Sequence, residues 1–86
     1  MTIYETALAH YGGDLQTLVC IEEMSELTKE LCKHARGADN VDAIAEEIAD
    51  VEIMLAQMKI LHSCADAVKD HRERKLARLA VRMGAL

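Results

Sequence analysis

Two pairs of acidic residues occur at helical spacing in the middle of this sequence. Glu23 and Glu26 are three residues apart, and so are Glu47 and Asp50. Residues three apart in an α-helix lie about 60° apart around the axis and about one turn along it, so each pair can direct two carboxylates to one point. Carboxylates about 5 Å apart repel each other by about 3 kcal/mol at an effective dielectric constant near 20, and a divalent cation removes that repulsion. The pattern therefore predicts a metal site formed by these four acids.

The ligand atoms favour magnesium, with manganese as an alternative. All four are carboxylate oxygens, and no histidine or cysteine joins the predicted cluster. Such ligands suit Mg²⁺ or Mn²⁺ rather than Zn²⁺. Because bound Mg²⁺ keeps positions for water and phosphate oxygens, the expected substrate carries phosphate. The competing interpretation is a solvated acidic helix face that binds no ion.

The chain that must position these acids is rich in helix formers and contains no proline. We predict four helices. The first runs from Ile3 to Tyr11 and is ended by Gly12-Gly13, and the second runs from its cap, Asp14, to about Arg36 and is ended by Gly37. The third, capped by Asp39 or Asn40, runs from Val41 to about His62, and the fourth, capped by Ser63, runs from Cys64 to about Arg82. About four residues link the two long helices, which predicts an antiparallel hairpin with the acid pairs nearly level. The predicted fold class is an all-α antiparallel helical bundle, in one domain spanning residues 1–86.

Apolar residues recur on each long helix, and we expect them to face the core. They are Leu15, Leu18, Val19, Leu27 and Leu31 on the second helix, Ile44, Ile48, Val51, Leu55 and Met58 on the third, and Val68, Leu76, Leu79 and Met83 on the last. A chain of 86 residues, 51% of them hydrophobic, buries only about 60% of its unfolded surface. We therefore expect a homodimer or homotetramer that completes the core.

Charge is distributed unevenly along the chain. The net charge is −5, with ten acids against three bases in residues 22–52 and six bases against two acids in residues 69–86. The overall negative charge and the presence of only two aromatic residues argue against a nucleic-acid partner.

The remaining composition predicts a cytoplasmic protein. No apolar run approaches the about 18 residues of a membrane span, and no signal peptide opens the sequence, so no membrane partner is expected. Cys20, Cys32 and Cys64 form no C-x-x-C pair, and we expect three buried, reduced thiols.

The order E-x-x-E, 20 intervening residues, E-x-x-D resembles the signature of the MazG-like all-α nucleoside triphosphate pyrophosphohydrolases, relatives of the dimeric dUTPases. The strings IEEMSELTKELCK and IAEEIADVEIMLAQMKI are similar to those of small single-domain members, and the resemblance covers roughly residues 15–82. It implies a MazG-like helical fold, assembly as a dimer or tetramer, and Mg²⁺-dependent hydrolysis of a (d)NTP to the (d)NMP and pyrophosphate. Carried over by position, Glu23, Glu26, Glu47 and Asp50 would be the metal ligands.

The pattern points less specifically to the residues that would activate water or bind phosphate. Glu22 and Glu46 are candidates to orient or deprotonate the attacking water, and a solvated or outer role for either stays open. Lys75 and Arg78 share a face of the last helix and, with Lys59, are candidates to bind the phosphates; a solvated basic face is the alternative. The chain lacks the aromatic residues that larger members pack on the base, which predicts loose base selectivity or a contribution from a neighbouring subunit.

Two further classes compete with the hydrolase. One is a helical interaction or nucleotide-binding module that retains the acids and turns nothing over. The other is a ferritin-like di-metal oxidoreductase, which is disfavoured because that site needs E-x-x-H on two helices, and Glu26 and Asp50 occupy the corresponding positions here.

Overall fold

The chain folds into four α-helices and contains no strand within residues 1–85, the part that the computed structural model describes. The helices are α1 (Ile3–Tyr11), α2 (Gly13–Ala35), α3 (Val41–Leu61) and α4 (Ala65–Arg82). The all-α prediction is confirmed, and the helix bounds agree with the predicted ones to within about two residues. Leu86, the last residue of the predicted domain, lies outside the described residues.

A capping box begins α1, and one glycine separates α1 from α2. The Glu5 N–H donates to Thr2 Oγ1 at 3.2 Å, and the Thr2 N–H donates to Glu5 Oε1 at 2.9 Å. Gly12, with φ of 89°, ends α1 as predicted and is also the N-cap of α2. The prediction that Asp14 caps α2 is therefore wrong. Asp14 lies inside the first turn of α2, where its negative charge interacts favourably with the positive end of the helix dipole.

The turn between α2 and α3 is fixed by backbone and side-chain hydrogen bonds. Gly37, with φ of 104°, ends α2 as predicted, and the Ala38 N–H donates to the Lys33 carbonyl at 3.1 Å. Asn40 is the N-cap residue of α3, but its side chain makes no capping bond. Its amide instead donates to the Glu30 carbonyl at 3.0 Å and to Glu30 Oε2 at 2.8 Å, which ties the start of α3 to the last turns of α2.

Ser63 does not cap α4, contrary to the prediction. It adopts a left-handed conformation, with φ of 50°, after His62, the C-cap of α3. The Cys64 N–H then donates to the Lys59 carbonyl at 3.0 Å, and Cys64 itself is the N-cap of α4. Ser63 therefore ends one helix and does not begin the next.

The core lies between α2 and α3, which pack antiparallel. Within residues 1–85 few residues are buried. Three of them are apolar, Cys20, Val51 and Met54, and two are polar, Gln16 and Gln57. No side chain in residues 1–85 is completely removed from solvent. A single chain therefore has only a thin core.

The predicted apolar stripes are buried only in part. On α3, Val51 is buried and Ile44 and Met58 are half-buried, whereas Ile48 and Leu55 are exposed. The cause is that α3 carries apolar residues on two sides, and α2 covers the side that contains Val51 and Met54. On α2 the predicted residues divide in the same way, with Val19 and Leu27 half-buried and Leu15, Leu18 and Leu31 exposed.

The prediction that α4 faces the core is wrong for this chain on its own. The four apolar residues predicted to face inward, Val68, Leu76 and Leu79 on α4 and Met83 directly after it, are between 39 and 67% exposed. The reason is that α4 packs only against α3 among the described helices, so nothing covers its apolar face. The radius of gyration, 15.9 Å, exceeds the about 12 Å of a compact chain of this length. The protein is therefore open rather than compact.

The three cysteines differ in their exposure to solvent. Cys20 is buried and Cys64 half-buried, but Cys32 is exposed, so the prediction of three buried thiols is wrong for Cys32. Twelve residues separate Cys32 from Cys20, a rotation of about 120° around α2 away from the buried face.

None of the helices in residues 1–85 is both long enough and apolar enough to cross a membrane.

Candidate metal centre

Three carboxylates meet across the interface between α2 and α3. Glu23 on α2 and Glu47 and Asp50 on α3 each offer an oxygen, and these oxygens lie within 4.8 Å of one another. The antiparallel packing places Glu23 opposite the single turn of α3 that carries both Glu47 and Asp50. The predicted convergence of acids from the two helices is thus present for these residues, which we call the carboxylate triad.

The triad lies at the edge of the core. All three residues are half-buried, and Val51, which follows Asp50, is fully buried. Glu47 Oε2 is inaccessible to solvent and has no hydrogen-bond partner. A buried carboxylate oxygen without a partner is unfavourable, because the ionised group has lost water and gained no donor.

The electrostatics of the triad also favour a positively charged ligand. Burial raises the pKa of Glu23 above its ordinary value, and the negative charges of Asp50 and Glu47 raise it further. The ionised form of Glu23 is therefore disfavoured in the absence of a cation. No lysine or arginine forms an ion pair with the triad within residues 1–85.

The donor set fits a small divalent cation. Ligand oxygens on opposite sides of an ion with bonds of about 2.1 Å are about 4.2 Å apart, so oxygens within 4.8 Å need only small side-chain movements to bind one. The unpartnered Glu47 Oε2 supplies a lone pair for such an ion. Oxygen donors alone suit Mg²⁺ or Mn²⁺.

Glu26, the fourth predicted ligand, lies outside this group of oxygens. Its side chain is half exposed, and Glu26 Oε2 forms an ion pair with Lys29 Nζ at 3.5 Å. Glu26 is one turn from Glu23 on the same helix, so a rotamer change can bring its carboxylate towards the triad. An exposed ion pair of this kind contributes about 0.2–1 kcal/mol, so its loss opposes such a movement only weakly.

The two candidate catalytic acids are exposed. Glu22 and Glu46 each precede a triad residue, and neither belongs to the triad. Within residues 1–85, the one hydrogen bond at Glu22 outside the helix backbone is made by its carbonyl, which accepts from Ser25 Oγ at 2.7 Å. Both carboxylates are therefore free to bind water next to the triad, and neither is held in a fixed position.

The candidate phosphate-binding residues lie on other surfaces of the chain. Lys75 and Arg78 line a shallow groove formed by α4 alone. Lys59 lines a second groove at the corner between α3 and α4, next to Leu55 and Arg72. No acid of the triad lines either groove, so the structure does not assemble the basic residues with the carboxylates within one chain.

Gln16 and Gln57 are not among the predicted site or core residues. Gln16 precedes Glu23 by seven residues and Gln57 follows Asp50 by seven, and the two amides are paired in the core at 2.8 Å. The mirrored spacing about the acids is visible in the sequence, but it does not by itself reveal that the two amides are buried and paired.

Comparison of the chain with models of protein families, with curated proteins and with solved structures found no match.

Proposed function

We propose that the protein is a Mg²⁺-dependent nucleoside triphosphate pyrophosphohydrolase, which hydrolyses a (d)NTP to the (d)NMP and pyrophosphate. The observation that carries the proposal is the carboxylate triad, in which Glu23, Glu47 and Asp50 bring oxygens within 4.8 Å of one another. The resemblance of E-x-x-E and E-x-x-D to the MazG-like signature supports the choice of reaction. The MazG-like form of the helical fold belongs to the same proposal.

In this proposal each acid has a distinct role. Glu23, Glu47 and Asp50 hold Mg²⁺, and Glu26 joins them by giving up its exposed pairing with Lys29. A bound Mg²⁺ would neutralise phosphate charge and lower the pKa of a coordinated water. Glu22 and Glu46 flank the triad on exposed surface, where either can orient the attacking water or accept its proton.

The basic residues are proposed to act from a second copy of the chain. Lys75 and Arg78 carry exposed positive charge, and α4 on which they lie packs only against α3 of its own chain. A triphosphate bound at the triad needs cations beyond the metal ion, because phosphate oxygens are best held by charged donors. Lys59 lines a groove that contains no triad residue, so it too would act on the triad of a second copy.

The exposed area supports self-association as a homodimer or homotetramer. The accessible surface is 6539 Å², whereas a compact monomer of 9.5 kDa has about 5,000 Å². The excess, about 1,500 Å², is more than the about 800 Å² that each partner loses in a typical stable interface. Much of this surface is apolar, as at Leu76 and Leu79 on α4.

Product analysis with a panel of (d)NTPs and Mg²⁺ tests the proposal. The expected result is a nucleoside monophosphate and pyrophosphate in equal amounts, and no activity after chelation of the metal. Release of inorganic phosphate with a nucleoside diphosphate would contradict the proposed reaction. The panel also reveals the base and sugar preference.

The second candidate is a helical module that binds a metal–nucleotide complex without hydrolysing it. The observation that favours it is the separation of Lys75 and Arg78 from the triad within one chain. Saturable nucleotide binding with no product under Mg²⁺ or Mn²⁺ would select this module over the enzyme.

A further inference from the structure

Polar contacts join α2 to α3 at heptad intervals along one face of α2. Gln16, Glu23 and Glu30 are each seven residues apart, which returns a helical side chain to nearly the same face. Gln16 pairs with Gln57, Glu23 lies in the triad, and Glu30 accepts the side-chain amide of Asn40. The triad therefore lies between two polar contacts, one near the turn and one far from it.

The contact far from the turn is almost completely buried. Gln16 and Gln57 are 6% and 3% exposed, and Gln16 Nε2 donates to Gln57 Oε1 at 2.8 Å. The remaining contact of the pair is weak, with Gln57 Nε2 donating to Met54 Sδ at 3.5 Å. The two amides therefore depend on each other for their only strong side-chain hydrogen bond.

Such a pair restricts sliding of one helix along the other. Of the surrounding core residues, Cys20 and Val51 are packed by apolar contacts, and Met54 accepts only a weak hydrogen bond from Gln57 on its own helix, so all three can repack after a shift. A shift of one helical turn, about 5.4 Å, would separate the amides and leave both of them buried without partners. One buried polar contact of this kind is known to fix register in paired helices.

We propose that Gln16 and Gln57 are positioning residues: their buried amide pair sets the register of α2 against α3 and thereby holds Glu23 level with Glu47 and Asp50. The importance of this register for metal binding rests on the proposed function; the register itself does not. Gln16 is two turns from Glu23 and Gln57 two turns from Asp50, so a slip at the amide pair moves the carboxylates by the same distance.

The test replaces both glutamines by an apolar residue of similar shape, in Gln16→Met/Gln57→Met. Register is read by NMR from the contact between the Gly13 backbone and the Leu61 methyl groups, which pack closely at the far end of the hairpin. Mn²⁺ affinity, measured by electron paramagnetic resonance, reports the effect on the triad. Cys20→Ala is the matched control, because it removes buried volume from the same interface without touching a side-chain hydrogen bond.

The expected result is a helical double variant with a weakened Gly13–Leu61 contact and an about tenfold lower Mn²⁺ affinity, while Cys20→Ala retains both properties. Gln57→Glu, which keeps an oxygen to accept from Gln16, should retain the contact that Gln57→Met loses. This second comparison decides the matter if the double variant does not fold. An unchanged Gly13–Leu61 contact in the methionine variants would overturn the proposal. Wild-type protein that binds no Mn²⁺ would instead refute the metal site, and the contact would still decide the register.

Discussion

Glu23 on α2 and Asp50 on α3 place carboxylate oxygens within 4.8 Å of each other across the helix interface. Neither residue has a basic neighbour that forms an ion pair with it in residues 1–85. Together with Glu47, they concentrate negative charge at the edge of a thin core, which destabilises the metal-free fold. The Mg²⁺ that we propose would relieve this repulsion, and the first predictions follow from that proposal.

Replacing Glu47 or Asp50 by alanine should abolish pyrophosphate release and leave far-UV helicity unchanged. The expected loss exceeds about 100-fold, because even residues that only support metal ligands contribute about 10–100-fold. Glu52→Ala is the matched control, since Glu52 is an exposed acid on α3 outside the triad. Retained activity in both triad variants would remove the metal assignment.

Glu23→Gln should raise the melting temperature of the metal-free protein at neutral pH. The pKa of Glu23 is higher in the folded state than its ordinary value of 4.5, so the folded protein binds this proton more tightly than the unfolded chain does. Stability of the metal-free wild type should therefore fall as pH rises from about 4.5 through the raised pKa. Thermal melts against pH should show this fall in the wild type and a smaller one in Glu23→Gln. A variant less stable than wild type at pH 7 would argue against repulsion within the triad.

Glu26→Gln should weaken Mn²⁺ binding less than Glu47→Gln does, because Glu26 must first leave Lys29 and turn towards the triad. Lys29→Ala removes that competing partner and should strengthen metal binding slightly, by no more than about fivefold for an exposed ion pair. Titration of the three variants with Mn²⁺ gives the comparison. Equal losses in Glu26→Gln and Glu47→Gln would show that Glu26 is as strong a ligand as Glu47 and would contradict this ranking.

Leu76→Glu should dissociate the oligomer that we propose. Leu76 is 53% exposed on the apolar face of α4, and a charge placed there would be buried by a second copy. Val81→Glu is a suitable control, because Val81 is also exposed but lies on the opposite side of α4. Sedimentation should show assembled wild type and control, with Leu76→Glu shifted towards monomer. A monomeric wild type at micromolar concentration would refute self-association.

Much of the fold followed from residues with strong local preferences. Gly12 and Gly37 end α1 and α2 as predicted, because both positions need a positive φ that glycine adopts readily. The short link after Gly37 also predicted the antiparallel hairpin, and hence the meeting of Glu23 with Glu47 and Asp50. Where a local signal fixes a turn, the pairing of the helices around it can be derived.

What could not be predicted depends on packing partners. Periodicity showed that α4 has an apolar face around Leu76, but it could not show that no element of the same chain covers it. The burial of Gln16 and Gln57 was missed because each amide becomes favourable in the core only through the other. The position of Glu26 was missed because two exposed side chains, Glu26 and Lys29, can pair within one helix as well as with a metal ion.

The decisive test of the metal site is Mn²⁺ binding to the wild type and to Glu47→Gln, followed by electron paramagnetic resonance with Mg²⁺ as competitor. Glu47 supplies the buried oxygen that has no partner in residues 1–85, and its replacement by an amide removes the charge while keeping the shape. We expect the wild type to show saturable Mn²⁺ binding that Mg²⁺ displaces, and Glu47→Gln to lose it. Wild-type protein that binds no Mn²⁺, or a variant that binds it equally well, would contradict a metal site at the triad.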